Sequence, residues 1–559
     1  MDDEASVTIK VTDTTAEDAA TTDAAFRARA RTTPDSVAFT DSPDRRERSL
    51  GEARTISYGQ ASAIADRVKQ ELLQLGLEQG DIIAIQAPNI VEVPLILLGA
   101  WRAGLIPSLM PVMWQLDEIH HAFAITKPKA AVTIAQYGSE QPAVTLGEVA
   151  AKHMSIRFLL SLGENPPDGF APIKGWFETP ENITPEPEDV EASEQPETSL
   201  ALLTWMAGRK GIQPVARSHA ELVETGRMFV REFDLKPSDI MLNPYPYSSI
   251  AALAGQLIAP VLSGAQTVLH LPFDFPTYIN QLEQNRITCA IAPAPVISAL
   301  EERRDLHSTR FKLRKLGCVW PSPHTVKASP ALFEPSLPTI DVHSFVEFAV
   351  FPRIRAPGSN PSLLPLGKIR KDNEDNEGNI LLETRIRGSV KTENEKQILR
   401  GTLTVRGATV PSGLFSIDDG AAGPATGAYH ADASGFVDTG IGAIAGDDIA
   451  GHFRCEKSED IIYHGGASMP ASELDLLYSA FDEFLDAAAF VLEDGAVGER
   501  IFAAVVPQPD LSPSLDRFKS YLEQKRVASY KVPDQLIIVR SIPRNSDGAV
   551  LRDQILAQI

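Results

Sequence analysis

Two kinds of apolar pattern alternate along the first third of the chain, and this alternation constrains the fold more than any other feature. Residues 61–75 place apolar side chains at helical spacing, and Gly76 follows as a helix-ending residue. The run "DIIAIQAP" at 81–88 then has the length of a buried strand. Helix and strand recur in residues 90–111 and 120–135. Because parallel strands need crossover helices, the pattern predicts an α/β fold with parallel sheets.

The length of the chain predicts more than one domain, because 559 residues exceed what one hydrophobic core supports. A strand-rich stretch at about 364–450 predicts a β subdomain, and a compact α+β pattern starts near residue 460. The predicted bounds are a disordered acidic tail at 1–23, an N-terminal α/β domain at 24–452 with an exposed connector at 182–198, a hinge at 453–459 and a small C-terminal α+β domain at 460–559.

The composition of the chain argues against several classes of partner and of cellular location. A net charge of -22 argues against broad binding to nucleic acid or to an anionic membrane. The three cysteines are far apart in sequence and indicate neither a disulfide framework nor a metal site. No apolar run reaches the length of a membrane span, and the acidic start "MDDEASVTIK" is unlike a secretory signal. We therefore expect a cytoplasmic protein.

A glycine-containing segment in the middle of the chain suggests a phosphate site. The apolar run at 199–205 predicts a short strand, and Ser218 is a favourable N-cap for the helix that follows. A strand, a glycine loop and a helix can cradle phosphate groups on backbone amides. An ordinary turn with two glycines and two surface cations is the preferred interpretation of the loop alone, since such glycine loops are weak motif signals. The loop residues are Gly208, Arg209, Lys210 and Gly211.

Further segments match, in order, the motifs of one enzyme superfamily. They are "ITCAIAPAPVISALEE" at 287–302, "GTLTVRGATV" at 401–410, "SEDIIYHGGASMPASELD" at 458–475 and "ASYKVPDQLIIV" at 528–539. With these segments the chain resembles the AMP-forming acyl-CoA synthetases, a superfamily that also holds luciferases and peptide-synthetase adenylation domains. The resemblance runs from about residue 26 to residue 559 and implies a small C-terminal domain that is mobile.

The resemblance also implies a two-step reaction. A carboxylate attacks the α-phosphate of ATP to give an acyl-adenylate, and a thiol, usually that of CoA, then displaces AMP. ATP with magnesium and CoA are therefore the cofactors expected for the family, and a small carboxylate or an acyl thioester is the expected ligand. Both transition states gather negative charge, so the site needs cations and oriented amide groups.

The positions that match the family's nucleotide motifs hold unusual residues. Aligned without gaps, the phosphate-loop lysine falls on Gln213. Val346 replaces a threonine before the retained Glu347, the candidate magnesium ligand, and Ile441 replaces the ribose-binding aspartate after Thr439. The other positions of this nucleotide-site remnant are Gly208, Arg209 and Lys210 in the loop, Trp320 near the adenine turn, His343 in place of a stacking aromatic, and Lys457 in place of an arginine.

The motifs outside the nucleotide site are also altered in part. The C-terminal lysine that bridges carboxylate and α-phosphate in the family is Ala549 here, although Pro543, Gly548 and Arg552 around it match. The acyl-side segment lacks the family's histidine. Its candidate pocket-wall residues are Tyr247, Ser249 and Ile250, and the thiol-side turn keeps Gly465 and Gly466. A plain core helix is the preferred interpretation of the apolar run from Ile250 to Leu262, and a pocket wall is the alternative.

Three hypotheses about function remain at this point. The first is a degenerate homologue with an impaired ATP step, acting as an acyl- or aryl-ligand or thioester-binding protein, with a protein partner or as a homodimer. The second is an active ligase in which Arg209, Lys210, Lys457 or Lys531 supplies the missing charge. The third is acyl transfer between thioesters without ATP, which only the Gly465–Gly466 turn supports.

Overall fold

The structure is a computed structural model of the full chain. It describes all residues except 1–15, 17, 164, 180–195, 209–210, 272, 304–305, 307–308, 321–323, 325–335, 357–358, 372–379, 394–395, 412, 419–420, 425–430, 458–459, 465–466, 495–497 and 559. Of the predicted exposed connector, residues 182–195 lie outside the described part of the chain.

The N-terminal domain contains two large sheets with helices between and around their strands. Its strands are β1 (Val37–Thr40), β2 (Thr55–Ser57), β3 (Ile82–Gln86), β4 (Ile106–Met110), β5 (Ala130–Ile134), β6 (Phe158–Leu162), β7 (Ala171–Pro172), β8 (Leu200–Gly208), β9 (Gly211–Ser218), β10 (Ile240–Asn243), β11 (Gln266–Leu269), β12 (Cys289–Pro293), β13 (Lys315–Val319), β14 (Thr339–Phe345) and β15 (Ala349–Ile354).

The helices of this domain follow the predicted alternation. They are α1 (Thr22–Thr32), α2 (Tyr58–Gln74), α3 (Glu92–Arg102), α4 (Leu116–Thr126), α5 (Pro142–Ala150), α6 (His219–Phe233), α7 (Ile250–Leu253), α8 (Ala259–Ser263), α9 (Phe275–Gln284) and α10 (Ala294–Glu302). A π-helical turn, Ala254–Ile258, joins α7 to α8. In α2 a capping box at Ser57 starts the helix, and Gly76 follows its end with a φ of 79°.

The two sheets confirm the predicted α/β class. The first has the strand order β7-β6-β5-β3-β4-β8-β9, and the second has the order β15-β14-β13-β12-β10-β11-β1-β2. Strand β3 pairs in parallel with β4 and β5, and β12 pairs in parallel with β10 and β13. Antiparallel pairs occur at the ends of the sheets, where β9 joins β8 and β15 joins β14.

An antiparallel sheet follows the second α/β sheet in the chain. Its order is β16-β23-β22-β19-β18-β17, and β20 and β21 form a separate hairpin. The strands are β16 (Leu364–Pro365), β17 (Gly367–Arg370), β18 (Ile380–Glu393), β19 (Lys396–Arg406), β20 (Phe415–Asp418), β21 (Ala421–Pro424), β22 (Val437–Gly446) and β23 (His452–Cys455).

The C-terminal domain is a small α+β unit with its own core. Its elements are β24 (Ile461–His464), β25 (Ala467–Pro470), α11 (Ala471–Ser479), β26 (Phe484–Asp494), β27 (Gly498–Pro507), α12 (Leu515–Gln524), β28 (Gln535–Ile538) and α13 (Arg552–Leu556). The sheet order is β25-β24-β27-β26, and β28 pairs with β27 in parallel. Within the described residues, no helix combines the length and hydropathy needed to cross a membrane.

The structure corrects two predicted boundaries. The disordered tail was expected to reach residue 23, but α1 begins at Thr22, and Asp23 forms ion pairs with Arg27 and the buried Arg102. The hinge was expected to begin at residue 453, but Phe453–Cys455 belongs to β23, and Phe453 is fully buried. Thr22 at the start of α1 and Phe453 in β23 are both fully buried, which the sequence around them did not indicate.

The two domains meet along a buried seam. Trp114 and Trp205 of the N-terminal domain belong to the same apolar cluster as Ile462 and Met469 of the C-terminal domain. At the edge of this cluster the ammonium group of Lys531 contacts the carboxylates of Glu118 in α4 and Glu473 in α11. The Tyr530 hydroxyl donates to Glu118 at 3.2 Å. The seam therefore combines apolar packing with a buried ion-pair cluster.

Candidate functional site

The predicted phosphate loop is a β-hairpin. Strands β8 and β9 pair antiparallel, with Gly208 opposite Gly211 at the turn. Helix α6 begins only at His219, so the whole of β9 separates the glycine turn from the helix N-terminus. The expected strand-loop-helix cradle is therefore wrong, because the chain after the turn pairs with β8 and does not enter a helix. Arg209 and Lys210 lie outside the described residues.

The start of α6 satisfies its own amide groups. Ser218 accepts a hydrogen bond from the Glu221 amide, and the Glu221 carboxylate accepts one from the Ser218 amide at 2.9 Å. This capping box confirms the predicted N-cap. Gln213, the position aligned with the family's lysine, lies in β9 opposite Met206, and its side-chain amide donates to the neighbouring Ile212 carbonyl at 2.9 Å.

Glu347 lies in the turn between β14 and β15 and reaches the start of α7. Its Oε2 accepts the backbone N–H of Ile250 at 3.0 Å, so two residues predicted for different parts of the site are in contact. Burial raises the pKa of Glu347 to about 7, although the Arg217 guanidinium and the Ile250 amide oppose this shift. The carboxyl group is therefore poised between its two protonation states near neutral pH.

Arg217 is the residue that sequence reasoning missed. Its side chain is fully buried at the end of β9. Nη1 donates to the Thr409 carbonyl at 3.3 Å, and Nη2 donates to the backbone carbonyl of Glu347. Burial lowers the pKa of Arg217, and the negative charges of Glu221 and Glu347 only partly offset that effect. Arg217 shares the buried side of β9 with Val215, which is the period-2 signal that could have identified it.

The turn that carries Glu347 is strained at Val346. This β-branched residue has a φ of 49°, in the left-handed region that such residues rarely adopt. The Ser344 hydroxyl donates to the Val346 carbonyl at 2.6 Å. His343 lies three residues earlier, on strand β14, and burial lowers the pKa of its imidazole to about 4. The imidazole is therefore neutral at pH 7.

Trp320 is anchored by polar partners at the end of β13. Its indole N–H donates to Asp341 Oδ1 at 3.1 Å. The guanidinium carbon of Arg355 lies 5.9 Å from the Trp320 ring centre, and Arg355 forms an ion pair with Asp341. The ring belongs to an apolar cluster with Leu316 and Cys318. These contacts match the core-packing interpretation, whereas occupation of an adenine slot stays a prediction.

The position of the ribose motif is turned toward the core of the β subdomain. Thr439 Oγ1 donates to the Leu403 carbonyl at 2.8 Å and accepts the Ile441 amide at 3.2 Å. The Ile441 side chain is buried in the apolar cluster of this sheet. Gly440 between them has a φ of 72°. Ile441 supplies no acceptor for a ribose hydroxyl.

The remaining predicted residues are spread over several parts of the fold. Lys457 lies 3.8 Å from Glu499 Oε1, and Ala549 is in an exposed turn where it exchanges two 2.9 Å hydrogen bonds with Asn545. Gly465 and Gly466 lie outside the described residues. Tyr247 is buried, and within the described structure its hydroxyl has no hydrogen-bond partner. Ser249 precedes α7 and its amide donates to the Pro246 carbonyl at 2.9 Å.

Sequence comparison identifies the family to which this architecture belongs. The profile of the AMP-binding enzyme family matches residues 26–337, more than half of the chain. The chain belongs to the AMP-binding enzyme family. Its relatives include a medium-chain fatty-acid–CoA ligase of Escherichia coli, at 22% identity over 93% of this chain and 87% of the relative. A 4-coumarate–CoA ligase 3 of Arabidopsis thaliana is 24% identical over 90% of this chain and 87% of that protein.

Solved structures share the fold of this AMP-binding enzyme family member. The o-succinylbenzoate CoA synthetase MenE of Bacillus subtilis has a TM-score of 0.71 at 16% identity and covers 95% of this chain and 98% of its own. The amide bond synthetase McbA of Marinactinospora thermotolerans has a TM-score of 0.70 at 17% identity, with coverage of 95% and 98%. These likenesses extend over both domains.

The AMP-binding enzyme family normally uses ATP, magnesium and CoA, and Glu347 is the acid of this chain that would hold the magnesium ion. In the described part of the chain, no group of three or more His, Cys, Asp or Glu side chains is placed to hold a metal. Magnesium prefers near-octahedral oxygen ligands, whereas the charged neighbour of Glu347 is a guanidinium that can only donate hydrogen bonds. The residues present do not fit a magnesium ion.

Proposed function

We propose that this member of the AMP-binding enzyme family has a degenerate adenylation site. In this proposal it binds an acyl or aryl ligand, or an acyl thioester, and acts as a binding or partner protein. The observation that carries the proposal is the buried Ile441 on β22, at the position that matches the family's ribose-binding aspartate. An aliphatic side chain committed to a core cannot accept hydrogen bonds from a nucleotide.

Other positions support the same proposal. Val346 has no hydroxyl beside Glu347, and Gln213 lies within a paired strand. The exposed Ala549 has no charge to bring to a transition state, and losing one such group typically costs about 10²–10³-fold in rate. Because these groups act together in the family's reaction, their combined loss argues against efficient adenylation.

The proposal includes the predicted domain organisation and location. The catalytic-type domain would begin with α1 at Thr22 and end with β23 at Cys455, and the C-terminal domain would extend over 460–559, which leaves residues 456–459 for the hinge. A cytoplasmic location and a protein partner or homodimer belong to the same proposal.

Isothermal titration with ATP and magnesium, together with pyrophosphate release in the presence of decanoate or 4-coumarate, tests the proposal. We expect no nucleotide binding below millimolar concentration and no carboxylate-dependent pyrophosphate. Turnover at ordinary synthetase rates that is lost in Glu347→Gln would overturn it. The Ala549→Lys variant should restore little activity while Ile441 remains, and Ala549→Gln is the matched variant of similar length without charge.

An active ligase with unusual ATP ligands is the second candidate function. The ligases named above, which align over at least 90% of this chain, favour it. Lys457 retains a positive charge near the predicted hinge, but Lys531 is held by two carboxylates at the domain seam. Single-turnover formation of an acyl-adenylate by the wild-type protein, abolished in Lys457→Gln, would favour this candidate over the first.

A further inference from the structure

The surroundings of Glu347 differ from those of a metal-binding carboxylate. Its Oε2 is already used by the Ile250 amide, and that amide belongs to the start of a buried helical segment. The peptide carbonyl of Glu347 is used by Arg217. Oε2 of the side chain and the backbone carbonyl of the acid are therefore each bound by a donor of this chain.

Arg217 connects three segments around this acid. It extends from β9, and its two terminal nitrogens reach the Glu347 turn and the segment that follows β19 at Thr409. The planar guanidinium fixes the distance between these two carbonyls, which a lysine cannot do with a single nitrogen. Arg217 thus holds the strained turn in place at the residue next to Val346.

Arg217 also places a positive charge near Glu347, the acid that the family resemblance assigns to magnesium. No carboxylate of the described residues forms an ion pair with the guanidinium, and its Nε has no hydrogen-bond partner in that part of the chain. A second cation beside a buried guanidinium, whose charge Glu221 and Glu347 only partly offset, would be repelled, because little water screens the two positive charges. A metal ion and Arg217 therefore exclude each other at this site.

We propose that Arg217 replaces the divalent metal beside Glu347, positioning the turn that carries this acid and supplying the positive charge there. The site would then bind its anionic ligand without a divalent metal. This inference rests on the proposed function, since it explains how a site of this family can keep Glu347 while its nucleotide ligands are absent. Arg217 is a positioning residue in this scheme.

Manganese titration followed by electron paramagnetic resonance tests the inference. Wild-type protein and Glu347→Gln should bind Mn²⁺ with the same affinity and stoichiometry, because Glu347 is not a ligand. Arg217→Gln removes the charge but keeps an N–H donor, and it should gain one Mn²⁺ site. That site should weaken at least tenfold in the Arg217→Gln, Glu347→Gln double variant. A purely structural role for Arg217 would produce no such gain.

Other outcomes of these measurements would contradict the inference or the proposed function. A wild-type Mn²⁺ site that weakens tenfold or more in Glu347→Gln would overturn the inference. Arg217→Lys keeps the charge and should bind no additional Mn²⁺, so a gain in this variant would contradict the electrostatic argument. If Arg217→Gln does not fold, the wild-type, Glu347→Gln and Arg217→Lys proteins still decide. Pyrophosphate release with no Glu347-dependent metal would overturn the proposed function alone.

Discussion

Two buried cations, Arg217 near the candidate site and Lys531 at the domain seam, have opposite electrostatic surroundings. Lys531 is 6% exposed and contacts two carboxylates, those of Glu118 and Glu473. Arg217 is 0% exposed, and within the described structure its hydrogen-bond partners are two backbone carbonyls. Burial alone would lower the pKa of both groups. The carboxylates outweigh burial at Lys531 and raise its pKa, whereas the pKa of Arg217 stays lowered.

The difference separates a cation that contacts two carboxylates from a cation that is held by two backbone carbonyls. At the seam, Glu118 also accepts the Gln115 amide at 3.1 Å, so one carboxylate caps α4 and docks the C-terminal domain. Interfaces between domains allow motion by default unless they are large and apolar. To its apolar cluster this seam adds the buried ion pairs of Lys531 with Glu118 and Glu473. The charge of Arg217 is only partly offset, by Glu221 and Glu347, and its hydrogen-bond partners in the described structure are two backbone carbonyls.

Replacing Lys531 by Met should produce the largest effect in this comparison. The substitution leaves Glu118 as a buried carboxylate without its cation, and losing one partner of a buried ion pair costs about 3–5 kcal/mol. Urea denaturation followed by tryptophan fluorescence measures the loss in free energy of unfolding. Lys525→Met removes an exposed lysine nearby and should cost less than about 0.5 kcal/mol.

The partner variant sharpens this result. Adding Glu118→Gln to Lys531→Met removes the orphaned negative charge, so part of the lost stability should return. Equal losses in Lys531→Met and Lys525→Met would mean that the seam does not depend on the ion cluster. The contrast between the two buried cations would then disappear.

Acid should destabilise the protein through two buried histidines of the N-terminal domain. Burial lowers the pKa of both His219 and His343 to about 4, from an ordinary value of 6.5. Between pH 6.5 and about pH 4 these histidines are therefore protonated in the unfolded chain but mostly neutral in the folded protein. The free energy of unfolding falls over this range as the pH is lowered. A shift of this size corresponds to about 3 kcal/mol per histidine.

Denaturation midpoints measured between pH 7 and pH 4.5 check this slope. The two histidines should contribute about equally to the loss of stability at low pH. The His343→Phe variant should therefore lose only about half as much stability from this cause as the wild type. His219 has no hydrogen-bond partner on either ring nitrogen within the described structure and packs edge-on against Trp101. An unchanged slope in the His219→Phe, His343→Phe double variant would show that other groups carry the acid sensitivity.

The fold could be predicted from sequence because its signals are local. Helix α2 and strands β3 and β4 follow from spacing within some twenty residues, and the Ser218 cap follows from four. The partners of the buried cations could not be predicted this way. Tyr530 and Glu118 are 412 residues apart in sequence, so only the packed domains bring them together.

The candidate site could be predicted only where motif positions and packing agree. Glu347 and Ile250 came from separate motifs and are in contact. Arg217 was missed because it matches no motif position with a chemical role, although its buried side of β9 was readable from period-2 alternation. Helix α6 forms where the sequence predicts it, but the phosphate cradle does not. The reason is that residues 211–218 pair with β8 as an extended strand.

Replacing Arg217 by Met should destabilise the protein less than replacing Lys531. The variant leaves the carbonyls of Glu347 and Thr409 without a donor, but it also removes a buried charge that lacks a carboxylate partner. These terms partly offset, and we expect a net loss of about 1–3 kcal/mol. Urea midpoints under the conditions used for Lys531→Met allow direct comparison. A larger loss in free energy of unfolding for Arg217→Met than for Lys531→Met would show that stability depends more on Arg217 than on Lys531.

Relieving the strain at Val346 should give the smallest effect and the only gain. Its φ of 49° disfavours a β-branched side chain, whereas glycine and asparagine tolerate the left-handed region. Val346→Asn should therefore raise the free energy of unfolding by about 1 kcal/mol, because native-state strain of this kind typically costs about 1–3 kcal/mol and lost apolar packing cancels part of the gain. Val350→Asn, at a fully paired and buried position on β15, is the matched control and should destabilise the protein. If Val346→Asn is stabilising in wild type but neutral in the Arg217→Met background, the strain exists because Arg217 holds the Glu347 turn. Equal gains in both backgrounds would show that the turn is strained without Arg217, and would remove its positioning role.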